Sequence, residues 1–306
     1  MTLPRRIIEG KTYMVTRRCT QRTFLLAPSR HVNHVFEYSM AYAAGKFDIA
    51  VHAFVVMSNH FHMLLTDKYA NLPKFMHCLD RTVAAAMNSK YGRWENFWAP
   101  GSYSMQELRT YKDVIYKLEY ILLNPVRARL VQRPEHWPGL TSVNIGFGEK
   151  RTVKRPDWFF NKKGKLPKEV TWRLVKPPMF RRTRCRDLDQ EVRERVERRA
   201  KELVKEVRAK GGKFLGKKKV LKIRPLSRPW TRESRRGLSP RVSAKAKEER
   251  LKALSDLYEF HRKYRKALKR WLSGDRKVVF PCGTYKMRVF FHVACEPFEE
   301  GESPPG

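Results

Sequence analysis

The chain has 306 residues, of which 66 are Lys or Arg and 30 Asp or Glu, for a formal net charge of +36. Five cysteines, odd in number and without a CxxC pair, argue against a disulfide framework or a zinc knuckle and fit a reducing cytosol. No apolar run of about 18 residues exists to span a membrane, nor an N-terminal one of signal-peptide length, whereas the basic excess points to a polyphosphate partner, because each phosphate that is neutralised releases a counterion.

Along the chain, Tyr13 to Cys19 alternates around Thr and Arg and reads as a strand. Ser29 offers an N-cap for a helix carrying Val32, Val35, Phe36 and Met40 on one face, ended by Gly45. Phe47 to Met57 reads as a buried strand, Ser58 and Asn59 as turn residues, and His60 to Thr66 as the returning strand of a hairpin. A helix from Leu72 to about Tyr91 places Phe75, Leu79, Val83 and Met87 at helical spacing. A strand over Gly101 to Leu108 and a helix from Lys112 to Leu123 follow, the latter stopped by Asn124 and Pro125 because proline disfavours helical geometry just before it. The order strand, helix, strand, strand, helix, strand, helix predicts an α+β fold of the ferredoxin-like kind, with helices on an antiparallel sheet.

Past Trp137-Pro138-Gly139 the pattern breaks up. Residues 1–150 carry a net +9 and residues 151–306 a net +27, so the first part reads as an ordinary folded domain, residues 1–140, and residues 141–306 as a basic, largely helical extension. Within it, 140–182 reads as loop and Asp187 to about Lys210 as a charge-laced helix. Gly211 to Pro240 reads as flexible or ordered only on a partner, Val242 to Leu272 as a second long helix, and Lys277 to Val293 as strand-like, before an acidic frayed tail. Interspersed Trp158, Trp172, Trp230 and Trp271 suit base stacking on nucleic acid, or equally the core of a small second domain.

The chemistry concentrates in two segments. Side chains alternate along a strand, so His60 and His62 share a face and Phe61 takes the other. Two imidazoles so placed can share a divalent metal; standing alone, such a pair is more simply two hydrogen-bonded histidines on a sheet. Tyr116, Tyr120 and Asn124 lie four residues apart and line one face of their helix. Asn124 could give an amide oxygen to a metal, and a tyrosine oxygen attacking a phosphodiester would store the bond as a phosphotyrosine. From spacing alone, core aromatics and a helix cap are the plainer reading.

The segment Val55-Val56-Met57-Ser58-Asn59-His60-Phe61-His62-Met63-Leu64-Leu65 resembles the HUH strand of REP-associated tyrosine transposases and related single-tyrosine insertion-sequence transposases. Tyr120-Ile121-Leu122-Leu123-Asn124-Pro125-Val126-Arg127-Ala128 resembles the second hallmark of that family. Lesser matches are Thr16-Arg17-Arg18 and His136-Trp137-Pro138-Gly139, and the whole spans roughly residues 10–140. The resemblance implies an HUH nuclease domain in which His60 and His62 bind Mg or Mn. Tyr120 would form a 5′-phosphotyrosine and leave a free 3′-OH, with Tyr116 as the alternative nucleophile. Asn124 stands where the wider family often has a metal-binding glutamine and is expected as third ligand. Arg17, Arg18, Arg127 and Arg129 are the expected DNA contacts, single-stranded or hairpin DNA the expected partner, a homodimer a possible assembly, and a bacterial cytoplasm, next to the nucleoid, the expected location. The competing expectations are a non-catalytic or domesticated nucleic-acid-binding protein on the same scaffold, and a replication-type nickase.

Overall fold

A computed structural model describes residues 4–101, 103–161, 163–230, 242–244 and 246–298. Four strands form one antiparallel sheet: β1 (Lys11–Arg18), β2 (Ile49–Met57), β3 (His60–Asp67) and β4 (Ser104–Leu108), in the spatial order β2-β3-β1-β4. Between them come α1 (Arg30–Phe47) and α2 (Leu72–Lys90). This is the ferredoxin-like arrangement the element order predicts, with β3 inserted between β1 and β2. The hairpin closes tightly, Met57 pairing with His60 across Ser58 and Asn59, and Arg18 lies opposite His60 on β1.

The alternation on β3 builds two layers. Phe61 is fully buried, with its ring edge-on to Phe36 of α1 at 5.0 Å and to Trp98 at 5.7 Å. The opposite face of the sheet is covered by α3 (Tyr111–Leu122). A four-residue helix, α4 (Asn124–Arg127), follows with Leu123 between the two. Burying each large apolar side chain stabilises by about 1.5–3 kcal/mol, so a one-residue slip of β3 would expose Phe61 and be strongly disfavoured. The register that hides Phe61 is what delivers both histidines to the α3 face.

Helix boundaries follow local chemistry, with one correction. Ser29 caps α1 by accepting the Val32 N–H at 3.2 Å, worth about 1 kcal/mol. Gly45 does not end this helix: it continues to Phe47, and the left-handed residue that closes it is Asp48, φ 55°, whose N–H reaches the Ala44 carbonyl. Thr110 caps α3, its hydroxyl accepting the Asp113 N–H at 3.2 Å and donating to the Asp113 carboxylate at 2.6 Å.

The core does not stop at residue 140. The stretch 140–182, expected as loop, contains β5 (Lys150–Lys154) and β6 (Glu169–Arg173), an antiparallel ribbon packed on α1. α5 (Cys185–Ala209) lays Leu188, Val192, Val196, Ala200 and Leu203 against α3 and α4. After it come α6 (Lys217–Leu221), with Val220 in the main core, and α7 (Lys247–Leu272). The strand expected within Lys277–Val293 reduces to two isolated bridges, Phe280 with Cys295 and Thr284 with Arg6, followed by α8 (Lys286–Phe291). Pro281 lacks a ladder donor and Gly283 sits at φ 87°, so a continuous strand cannot form there. Ala267, Val278, Phe280 and Met287 make a small separate cluster. The expectation of flexibility between Gly211 and Pro240 falls partly outside the described residues, as does the tail beyond 298. Among the described residues no helix is long and apolar enough to cross a membrane.

Candidate active site

The two imidazoles stand side by side on β3, ring centroids 4.9 Å apart and nearly perpendicular. Each has its Nδ1 occupied. His62 Nδ1 meets the Thr16 hydroxyl at 2.7 Å, and His60 Nδ1 meets Asn59 Oδ1 at 2.7 Å. Asn59 is held for this by donating from Nδ2 to the Arg22 carbonyl at 3.0 Å. A proton on Nδ1 of both rings would leave each Nε2 a lone pair, the tautomer a metal-ligating histidine needs. Burial pushes the His60 imidazole down to about 4 and is assisted by the Arg18 charge, while a hydrogen bond to the Asn124 side chain opposes it. His62 is pushed well below the ordinary range, first by burial and then by the charges of His60 and Lys117. Both rings are therefore neutral at pH 7.

The tyrosine arrives from α3. Its ring stands edge-on to His62, centroids 5.6 Å apart. Tyr116 lies one turn earlier on the same helix, half-buried. Asn124, 93% buried, opens α4 and hydrogen-bonds His60. The break between Leu122 and Asn124 thus does positional work: Pro125 cannot continue α3, and the short helix that replaces it turns the amide toward the β3 histidine. His60, His62, Tyr120 and Asn124, drawn from two distant stretches of chain, converge. Among the described residues no cluster of three or more His, Cys, Asp or Glu is arranged to hold a metal; the residues here that could hold one are His60 and His62 through imidazole nitrogens and Asn124 through its amide oxygen. That set suits a divalent ion with nitrogen and oxygen preferences and leaves coordination positions open for a phosphate.

Of the four arginines expected on DNA, Arg18 lies on the histidine face and Arg127 spreads its guanidinium over the Tyr120 ring at 5.4 Å, 3.9 Å from Glu119. Arg129 is exposed just after α4 with φ 56°. Arg17 belongs elsewhere. It is the strand partner of Phe61, faces the α2 layer, pairs with Asp80 at 3.3 Å and donates to the Gly101 carbonyl at 2.9 Å. Side chains alternate on a strand, so Arg17 and Arg18 cannot both face the site.

Lys117 was not anticipated. It sits one turn before Tyr120, its ammonium 5.5 Å from the Tyr120 ring centroid and 5.8 Å from that of Tyr116, and donates to Gln106 Oε1 on β4 at 3.0 Å. Burial lowers its pKa, with Asp113 opposing. The (i, i+3) spacing to Tyr120 was the available signal. A separate cavity of about 930 Å³ lies behind α3, between Leu118, Leu122 and the α5 residues Val192 and Val196, and includes none of the four converging residues.

The family described as IS200-like transposases matches residues 11–121, a span that takes in both histidines and Tyr120 and ends before Asn124. No curated protein matches the chain. Among solved structures, a REP-associated tyrosine transposase bound to a REP hairpin is 21% identical, with 46% of this chain and 82% of that one covered and a TM-score of 0.39. A candidate transposase from Deinococcus radiodurans is 20% identical, with 40% and 97% covered and a TM-score of 0.28. Over residues 11–121 the chain is thus similar to the IS200-like transposases, and transposase-like action on DNA is the function this match supports.

Proposed function

We propose that the chain is a DNA nuclease and strand transferase that cuts a single strand with Tyr120 and rejoins it. The Tyr120 oxygen attacks a backbone phosphorus; a bond forms between that oxygen and phosphorus, and the bond from phosphorus to the 3′ oxygen breaks. The phenol proton passes to water and the 3′ oxygen takes a proton from water, so that it leaves as a 3′-OH, while the 5′ side remains on Tyr120 as a phosphotyrosine. Attack by a 3′-OH on that linkage reverses the step and joins strands. The single observation that carries this reading is the edge-on contact between Tyr120 and His62, whose partner imidazole His60 has its Nδ1 engaged in the same way.

His60, His62 and Asn124 would hold the metal, Mg or Mn, which when bound supplies Lewis-acid polarisation of the phosphate. Thr16 and Asn59 fix the two imidazole orientations. Lys117 and Arg127 flank the tyrosine ring with positive charge and attract the phosphate while its negative charge grows in the transition state. A lone nucleophile cuts one strand per event, so the substrate is single-stranded DNA or the unpaired part of a hairpin.

The test is incubation of hairpin and linear oligonucleotides with the protein and Mn, followed by denaturing gels. Tyr120→Phe should abolish the slow-migrating covalent adduct and leave binding intact. Binding without cleavage by the natural chain, across a set of hairpins, would instead favour a purely nucleic-acid-binding protein.

A further inference from the structure

The segment from Gly211 to Trp230 carries Lys213, Lys217, Lys218, Lys219, Lys222, Arg224 and Arg228 and no acidic residue. All seven are exposed. Elsewhere in the C-terminal half several basic residues pair with carboxylates, as in Arg199 with Glu202 and Glu206, Lys201 with Glu197, and Arg262 with Glu259. Among the described residues no carboxylate pairs with any of the seven.

This segment follows a fixed path. At one end the Leu215 and Gly216 N–H groups donate to the carbonyls of Arg129 and Leu130, both at 2.9 Å, immediately beyond α4. In the middle Val220 is buried and Phe214 packs against the core. At the other end the Ser227 carbonyl accepts the Phe24 N–H at 2.9 Å, and the Arg228 guanidinium donates to Gln21 Oε1. The Gln21–Phe24 loop is itself tied to the turn before His60: Cys19 N–H donates to the Asn59 carbonyl at 2.8 Å, Leu26 N–H to the Ser58 carbonyl at 2.9 Å, and Asn59 Nδ2 to the Arg22 carbonyl at 3.0 Å. The segment is a strap joining the chain that leaves the tyrosine helix to the loop that borders the histidines.

We propose that residues 213–228 form a phosphate-binding rail for the single DNA strand entering the Tyr120 site. The proposal rests on the reading of that site as a DNA-cutting one, but concerns binding alone. Unneutralised cations on a pinned backbone gain counterion release when a polyanion lies along them without first having to be ordered, and the two anchors set the direction of the strand across the site.

The test uses the full chain carrying Tyr120→Phe, so that cleavage cannot contribute, with and without the triple change Lys217→Ala, Lys218→Ala and Lys219→Ala. Affinity for an unstructured single-stranded oligonucleotide and for a blunt duplex of equal length is measured from about 50 to 200 mM salt. The triple variant should bind the single strand at least about tenfold more weakly at low salt, with a slope of log affinity against log salt shallower by about 2, since each lost contact to a single strand removes roughly 0.7. The corresponding Lys→Arg variant should restore both. Unchanged single-strand affinity and slope would overturn the proposal, and so would an equal loss on the duplex. Failure of the otherwise unaltered chain to form an adduct would remove the nuclease reading and leave these binding results to stand or fall by themselves.

Discussion

His62 and Thr16 face each other across β3 and β1 as strand partners, and the Thr16 hydroxyl meets His62 Nδ1 at 2.7 Å. The contact fixes which imidazole nitrogen looks into the site and how the ring is turned. Outer-sphere partners of this kind typically contribute 10–100-fold in metal affinity. Thr16→Val, which keeps the shape and removes the hydroxyl, should therefore weaken Mn binding by about 10- to 100-fold with little change in DNA affinity. Calorimetric Mn titration of the variant checks this, and an unchanged affinity would mean that His62 is not a ligand.

Lys117 brings charge to the tyrosine from within its own helix. Lys117→Gln keeps a donor for Gln106 and loses the charge. Single-turnover cleavage at saturating DNA should slow by at least about tenfold, by analogy with the removal of one donor from a preorganised transition-state site. Dissociation constants for DNA should stay within about twofold. If affinity falls and the saturated rate holds, Lys117 serves binding only.

Arg17 provides a contrast. Burial pushes the Asp80 carboxyl up to about 7, with the Arg17 guanidinium pulling it back down. A carboxyl raised above its unfolded value binds more protons in the folded state between about pH 4 and 7, so its contribution to stability falls as pH rises through that window. Arg17→Ala removes the opposing charge. It should destabilise the fold by about 3 kcal/mol at pH 8, the low end for one partner taken from a buried pair, and by less at pH 5.5, where Asp80 is protonated. Urea midpoints at the two pH values measure this. Were Arg17 a DNA contact instead, the variant would keep its stability and lose affinity.

Much of the site was legible because it rests on strong local rules. The alternation His60-Phe61-His62 puts two rings on one face whatever the sheet, and Pro125 ends a helix whatever it packs on. The same alternation separates Arg17 from Arg18, and applying it to β1 would have sent Arg17 to the Phe61 side. Lys117 was hidden because its role depends on burial, which a charged residue on a helix does not advertise. β5 and β6 were missed because Lys150–Lys154 and Glu169–Arg173 are short and polar, and their paired residues lie 15 to 23 positions apart. The reach of the core into α5 was hidden in a helix so rich in charge that its apolar stripe, Leu188 to Leu203, is thin. The C-terminal segment around Phe280 has strand-like composition, but Pro281 and the positive φ at Gly283 override it.

In the proposed reaction the phenol of Tyr120, and not that of Tyr116, takes the DNA phosphate. Trypsin cuts after Lys112, Lys117 and Arg127, which puts Tyr116 in the peptide Asp113–Lys117 and Tyr120 in Leu118–Arg127. The deciding measurement is mass spectrometry of the trypsin- and nuclease-digested adduct formed with a hairpin oligonucleotide and Mn. A nucleotide mass is expected on Leu118–Arg127, with Asp113–Lys117 unmodified and a free 3′-OH on the released DNA. A nucleotide on Asp113–Lys117, or cleaved DNA with both peptides unmodified, would contradict this assignment.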